Sequence, residues 1–421
     1  MSQILENPKG GCVLSGISST LAAMKGFCPV FHAGPGCTMQ TAASTGAEVE
    51  LAGVQVPCSN MLEREVVFGG IRKLESTVQG AIEVMDAQAY VILTGCTAGV
   101  IGDDVNAVAE SFRAKGQEVY AIDTPGFIGN TEMGYDIVWS NLISQFIKPS
   151  PKEKKTVNLF GIIPGLDPFW RGNVEELSRI LRGLGLKVNQ FFRDGQGIEE
   201  VRKSSGAALN IIVHPWIFKG PAEQYKEKFK VPYLRFPNLP IGDTDTTEFV
   251  RSVGETLGLD QKVIEDAVER EQKYLYSYLE HGIGVLGWKR LAVIGSSATA
   301  IGITRYMAND YSLLPRVVII TDPNIGKSAQ DTICERLSDL TYVEAPDIYF
   351  EPDQFEINEI LKKYKDVTMT IGSANDREAA SYLDTEFYEL CYPITGRFIF
   401  NQSIIGYKGS LSLIEDLFCN L

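Results

Sequence analysis

The sequence predicts an α/β chain of three Rossmann-like domains whose mostly parallel sheets surround a central crevice. Three observations carry that expectation. Short runs rich in Val and Ile alternate with segments of helical periodicity along the chain, the pattern that builds parallel sheets from βαβ units. The strand–turn–helix–strand series begins in the first hundred residues and restarts near residues 156 and 290. A length of 421 residues with 44% hydrophobic and 22% charged content describes a globular chain too long for one ordinary core.

The first series opens with Val30-Phe31, an extended pair that reaches His32 and the turn Gly34-Pro35-Gly36 before Cys37. "AYVILTGC" (89–96) reads as a buried strand closing at a turn. "GVIGDDVNAVAESFRAKG" follows as a helix opened by Asp103 and Asp104, whose carboxylates suit the free N–H groups and the dipole at that end. "EVYAID" (118–123) is the next strand, so residues 89–123 form one βαβ unit. "KPSPKEKK" is expected to be a solvated linker, and "TVNLFGII" (156–163) then starts the second series. Its helix ends at Gly183 and Gly185, and "ALNIIVHP" (208–215) and "VPYLRF" (231–236) supply further strands. A long charged helix over about 259–281 leads to the third series, with strands expected in "RLAVIGSS", "RVVIITD" (316–322) and "VTMTIGS" (367–373). The expected domains are therefore 1–152, 153–284 and 285–421.

Composition excludes several classes. A formal charge of −14 with no compensating Lys/Arg block argues against a nucleic-acid partner. The N-terminal "MSQILENPKGG" lacks the layout of a signal peptide, and no apolar run reaches bilayer length, so a cytoplasmic chain without membrane contact is expected. In that reducing setting the eight cysteines point to metal or redox roles rather than disulfides. Five of them (12, 28, 37, 58 and 96) fall in the first hundred residues. "GSSATAIG" is neither a dinucleotide fingerprint nor a P-loop.

Cys37, Cys58 and Cys96 share a setting. Each follows an extended stretch and borders Gly, Pro or Ser, in "GPGC", "VPCSN" and "TGCTAG". Backbone N–H groups near a thiolate stabilise its charge, which iron–sulfur ligands require. Ligands in open α/β sheets bind beyond the carboxyl ends of strands, where Cys37 and Cys96 fall. The spacing matches neither a zinc ribbon nor a compact ferredoxin run, and no His–Asn or His–Asp set marks a nucleophile. Free cysteines are also among the most buried residue types, so spacing alone leaves ligand and packed residue both open. Three thiolates are an odd set for a simple cluster, and a second chain would supply the rest.

The motifs resemble the β-type subunits of nitrogenase component 1. "NPKGGCVLSGISSTLAAMKGFCPVFHAGPGC" is similar to that family's opening, "PCSNMLEREVVFGG" to its second cysteine segment, and "LTGCTAGVIGDDVNAVAE" to its "TTC…IGDD" motif. "DTPGFIGNTEMGYD", "HPWIFKGPAEQYKEKFKVPYLRFPNLPIGDTDTTEFV" and "YPITGRFIFNQSIIGYKGSLSLIEDL" extend the likeness over nearly the whole chain. The resemblance implies that Cys37, Cys58 and Cys96 are the β-side ligands of a P-cluster ([8Fe-7S]) shared with an α-type subunit in an α2β2 heterotetramer. It further implies a homodimeric ATP-dependent iron–sulfur reductase as electron donor and a catalytic iron–sulfur cofactor in the partner subunit.

The chain departs from the family at Pro35, where Gln is usual, and at Asn130, where a serine can join the oxidised cluster. The loop after Cys58 is shorter, and the long extensions of the molybdenum enzyme's β subunit are missing. These departures favour a nitrogenase-like reductase, with methylthio-alkane reductase first. The alternatives are an alternative nitrogenase reducing dinitrogen and a cofactor-assembly scaffold; a tetrapyrrole reductase subunit fits less well. His32 is expected to orient the cysteine loop, and His214 to be a packed or interface histidine. Cys12 and Cys28 read as core or cluster-adjacent packing, and Cys334, Cys391 and Cys419 as structural. Glu63 and Arg64 are candidates for the cluster surroundings or a docking face.

Overall fold

A computed structural model describes residues 9–46, 56–279 and 288–418 of the chain. Its strands form three sheets, and every strand pair within them is parallel. The first holds β1 (Phe27–His32), β2 (Ala89–Thr94) and β3 (Val119–Ile122) in the order β1-β2-β3. The second holds β4 (Glu153–Phe160), β5 (Lys187–Asn189), β6 (Ala207–Val213) and β7 (Tyr233–Phe236) in the order β5-β4-β6-β7. The third holds β8 (Arg290–Gly295), β9 (Leu314–Ile320), β10 (Asp347–Phe350), β11 (Met369–Gly372) and β12 (Glu386–Glu389) in the order β10-β9-β8-β11-β12. β1 and β2 are buried along their whole length, because helices cover both faces of a parallel sheet and leave only apolar runs stable there.

Among the described residues, the helices that accompany the first sheet are α1 (Val13–Ala23), α2 (Pro35–Gly46), α3 (Glu63–Phe68), α4 (Ile71–Val84), α5 (Cys96–Ile101), α6 (Val105–Arg113) and α7 (Thr131–Asn141). The helix expected across "GVIGDDVNAVAESFRAKG" is two. Gly102 takes a left-handed φ of 74° and ends α5, and Asp104 caps α6 by accepting from the Ala107 N–H at 3.0 Å. "KPSPKEKK" is not wholly linker, since β4 begins at Glu153. The charged helix spans Gln261–Leu279, and the expected 284/285 boundary and Cys419 lie outside the described residues.

α1 and α7 cross at glycines. A Cβ on Gly16 would sit 1.9 Å from the Thr131 carbonyl oxygen, and one on Gly134 would sit 2.5 Å from that of Val13. This close approach draws the two helix starts together: the Val13 N–H donates to the Gly129 carbonyl at 3.0 Å, and Cys12 pairs with Asn130 in an isolated antiparallel bridge. The segment before α1 is anchored by Lys9, whose buried ammonium bonds both carboxylate oxygens of Asp376 at 2.6 and 2.7 Å. Asp376 lies just beyond β11, so this pair ties the N-terminal segment to the third sheet. The C-terminal helix Gly406–Phe418 packs back onto the second sheet's helices, with Thr247 and Tyr407 hydroxyls 2.8 Å apart. No helix among the described residues is long and apolar enough to cross a membrane.

Candidate functional site

Three thiols meet at helix beginnings. Cys12 is the N-cap of α1, Cys37 stands in the first turn of α2, and Cys96 is the first residue of α5. The Gly34-Pro35-Gly36 turn is thus the start of a helix, with proline at its first position, where its missing N–H costs nothing. Free N–H groups and the positive end of the dipole favour a thiolate at each place. All three cysteines are exposed, and they line one cavity of about 440 Å³ together with Gly36, Gly126 and Tyr392. Gly126 makes room for the sulfurs: a Cβ there would lie 3.0 Å from Cys96 Sγ and 3.1 Å from Cys12 Sγ.

Of the expected trio, Cys37 and Cys96 line this cavity, and Cys58 stands close enough to Cys37 to act on its thiol. Cys12 lines it as well, and Cys58 does not. The reason lies in the backbone. Residues 57–61 run alongside β1 as an added edge, with the Phe31 N–H donating to Pro57, Ser59 to Phe31 and Met61 to Ala33. That path carries the half-buried Cys58 sulfur to Thr38 Oγ1 at 3.0 Å and the Ala33 carbonyl at 3.5 Å, while the Asn60 N–H donates to it at 3.1 Å. Cys58 therefore sits beside Thr38 in the first turn of α2. A signal for Cys12 was present in the sequence: glycine directly precedes Cys12, Cys37 and Cys96, whereas proline precedes Cys58.

Burial pushes the Cys37 thiol upward, and the neighbouring Cys96, Cys12 and Cys58 push it further. Thiolates this close resist ionising together unless positive charge is placed among them. Among the described residues no three Cys, His, Asp or Glu side chains come close enough to hold a single metal ion. The cavity thiols ring a space rather than a point, which suits a multi-iron cluster better than a lone ion. Exposed thiols at helix starts, a wall of glycine and an open mouth fit such a group.

His32 is a positioning residue. Its Nδ1 lies 2.9 Å from Ser59 Oγ and its Nε2 2.8 Å from Asp103 Oδ2, so both ring nitrogens are engaged. Asp103 also accepts from the Gly70 N–H at 2.9 Å, so it braces the histidine and leaves the capping to Asp104. Burial lowers the His32 pKa, and the Asp103 carboxylate works against that shift. His214 is buried, its Nδ1 facing the N–H groups of Trp216 and Ile217 at 3.4 Å, and burial holds its pKa well below the usual range. Glu63 and Arg64 are exposed on α3. Cys28 and Cys391 are buried, and burial raises each thiol to about 12; Cys334 is half-buried.

A family model described as nitrogenase component 1 type oxidoreductase matches residues 12–421. Among characterised relatives, the nitrogenase iron–iron protein beta chain of Rhodobacter capsulatus is 24% identical, the match covering 98% of this chain and 92% of that one. The nitrogenase iron–molybdenum cofactor biosynthesis protein NifE of Clostridium pasteurianum is 22% identical over 96% of this chain and 86% of that one. A solved structure titled "Nitrogenase Cp1 at pH 6.5" superimposes with a TM-score of 0.83 and 18% identity, covering 99% of this chain and 93% of that one.

Proposed function

The chain belongs to the nitrogenase component 1 type oxidoreductases, and on that footing we propose that it is the β-type, electron-relaying subunit of a nitrogenase-like reductase. In this reading Cys37, Cys58 and Cys96 hold, with an α-type partner, an iron–sulfur cluster of the P-cluster type, and Cys12 stands beside them in the same cavity wall. The carrying observation is the cavity that Cys37 and Cys96 share at helix starts with Cys12, with Cys58 close enough to Cys37 to act on its thiol. When bound, such a cluster stores and passes single electrons. The chain's own part is to present three sulfurs, to offer backbone N–H groups that stabilise their negative charge, and to leave one side of the cavity open. Met39, Val100 and Phe127, each close in sequence to a cavity cysteine or to Gly126, are exposed apolar side chains, of a kind that suits burial against a second chain.

The whole assembly is read as α2β2, cytoplasmic, supplied with electrons by a homodimeric ATP-dependent iron–sulfur reductase, and carrying its catalytic cofactor in the α-type subunit. The favoured reaction is reductive C–S cleavage of methylthio-alkanes, suggested by Pro35, Asn130 and the short loop after Cys58. Dinitrogen reduction is the second reading, favoured by the likeness to an iron–iron nitrogenase beta chain. A scaffold role is the third, favoured by the comparable likeness to a cofactor biosynthesis protein.

Iron analysis and EPR of the anaerobically purified complex test the site. Cys58→Ser is expected to lower bound iron and change the cluster signal, with Cys12→Ser affecting both less. Loss in the Cys12 variant alone would move the site to the trio Cys12, Cys37 and Cys96. An anaerobic assay with dimethyl sulfide or methylthioethanol beside dinitrogen separates the reactions: hydrocarbon release without ammonia selects C–S cleavage, ammonia selects the second reading, and neither product selects the scaffold.

A further inference from the structure

Two aromatic side chains stand in solvent on a segment that is otherwise firmly held. Phe398 and Phe400 are 88% and 76% exposed, and their rings are stacked, 16° from parallel with centroids 6.5 Å apart. They lie between β12 and the C-terminal helix, on extended chain with no helix or strand of its own. Ile399, between them, turns inward onto the main core, so the alternation of an extended backbone puts both rings on its outer side. The backbone is fixed from several directions. Glu389 accepts from the Gly396 N–H at 2.9 Å, and Asp416 accepts from Arg397 at 2.6 Å and from Gln402 Nε2 at 2.7 Å. Gly172 lets the segment lie directly on α8 (Trp170–Gly183): a Cβ there would stand 2.2 Å from the Gln402 carbonyl oxygen. Aromatic rings presented by a fixed backbone lose little freedom when something covers them.

The segment begins at the thiol cavity. Tyr392 lines that cavity and a larger one of about 610 Å³ beside it. Five residues on, the Arg397 guanidinium lies over the Phe169 ring at 5.6 Å, and Pro168, next to Phe169, lines the larger cavity. The exposed pair therefore continues the surface that starts at the cysteines.

Charge and symmetry indicate what covers it. Arg397, the cation next to the pair in sequence, is matched by Asp416, so the rings offer apolar area beside a neutralised charge. Permanent interfaces bury area of this kind, whereas transient electron-transfer encounters are small. α-Type chains are relatives of this one, and two related chains that share a cluster place an approximate two-fold axis through its cavity. Surfaces that surround the cavity on one chain then face those of the other.

We propose that Phe398 and Phe400 anchor the α-type partner, an apolar surface of which closes over the stacked rings. This anchor rests on the reading of the chain as a β-type subunit. Anaerobic purification through a tag on the α-type chain, followed by analytical ultracentrifugation of the complex, tests it. Phe398→Ser with Phe400→Ser is expected to weaken α–β association roughly 10-fold or more, and Phe398→Leu with Phe400→Leu to hold it within about 3-fold of wild type. The circular dichroism melting curve of the separately purified serine variant should match that of the wild-type chain, because exposed rings do not support the fold. Unchanged α–β association in the serine variant, equal loss in the leucine variant, or a lowered melting curve would each overturn the proposal. So would α–β pairs that persist while the α2β2 assembly separates, which assigns the rings to a second copy of this chain. A wild-type chain that pairs with no α-type partner defeats the β-type reading and the anchor together; retained pairing in the serine variant defeats the anchor alone.

Discussion

At the scale of single residues, the site is made by what is small as much as by what is reactive. Gly126 lies against two sulfurs, so Gly126→Ala should push Cys12 and Cys96 apart by a few tenths of an ångström or more. The expected result is reduced iron per complex with little change in the circular dichroism melting curve; full iron occupancy would show that the cavity tolerates the methyl group. Cys37 and Cys96 were legible in the sequence because each ends a strand at a glycine turn, a local signature. Cys12 was legible only as core or cluster-adjacent packing, because Asn130, its bridge partner, stands more than a hundred positions away and reaches it through the helix crossing. His32 was legible as an orienting residue from its place before the loop, but Asp103 looked like a helix cap. Its actual task, bracing His32 at 2.8 Å, depends on how α4 and α5 meet.

At the scale of elements, the contact between α1 and α7 is the device that brings Cys12 to the cavity. Gly134→Ala would drive a methyl group into the Val13 carbonyl, and overpacking of this kind costs about 1–3 kcal/mol. Urea unfolding should show that loss, together with lowered iron retention in whatever protein still folds; a variant as stable as wild type would mean the helices separate freely. The strong strands were legible, since continuous Val/Ile runs such as those of β2, β6 and β9 are stable only between covering layers. The edge strands β5, β10 and β12 were not: they are short, and β10 and β12 carry half-buried polar residues, so their strand character comes from the neighbour they pair with.

At the scale of the whole molecule, one apolar core runs through all three sheets, and a few buried polar contacts fasten them further. Lys9→Met would leave the Asp376 carboxylate without its cation, and breaking a buried pair from one side costs about 3–5 kcal/mol. Chemical unfolding should register the loss, and Lys9→Met with Asp376→Leu should recover much of it. Asp136 is a second fastening: on α7 of the first unit, it accepts from the Phe218 N–H of the second at 2.7 Å. Burial raises its pKa from 3.8 to about 7, so the folded state holds a proton that the unfolded chain has released. That contribution is complete below about pH 4 and is lost as pH rises through about 7. Asp136→Asn should therefore flatten the fall in melting temperature between pH 5 and pH 8; an unaltered pH profile would refute the assignment. The sequence by itself determined the alternation of strands and helices, the parallel sheets and two of the three cavity thiols, because periodicity and turn chemistry are local. Only the tertiary structure decided that Cys12 joins Cys37 and Cys96 at the cavity and that Asp103 serves His32. Each of those depends on which distant segments come within hydrogen-bonding reach, and a glycine crossing or a buried ion pair sets that in space rather than along the chain.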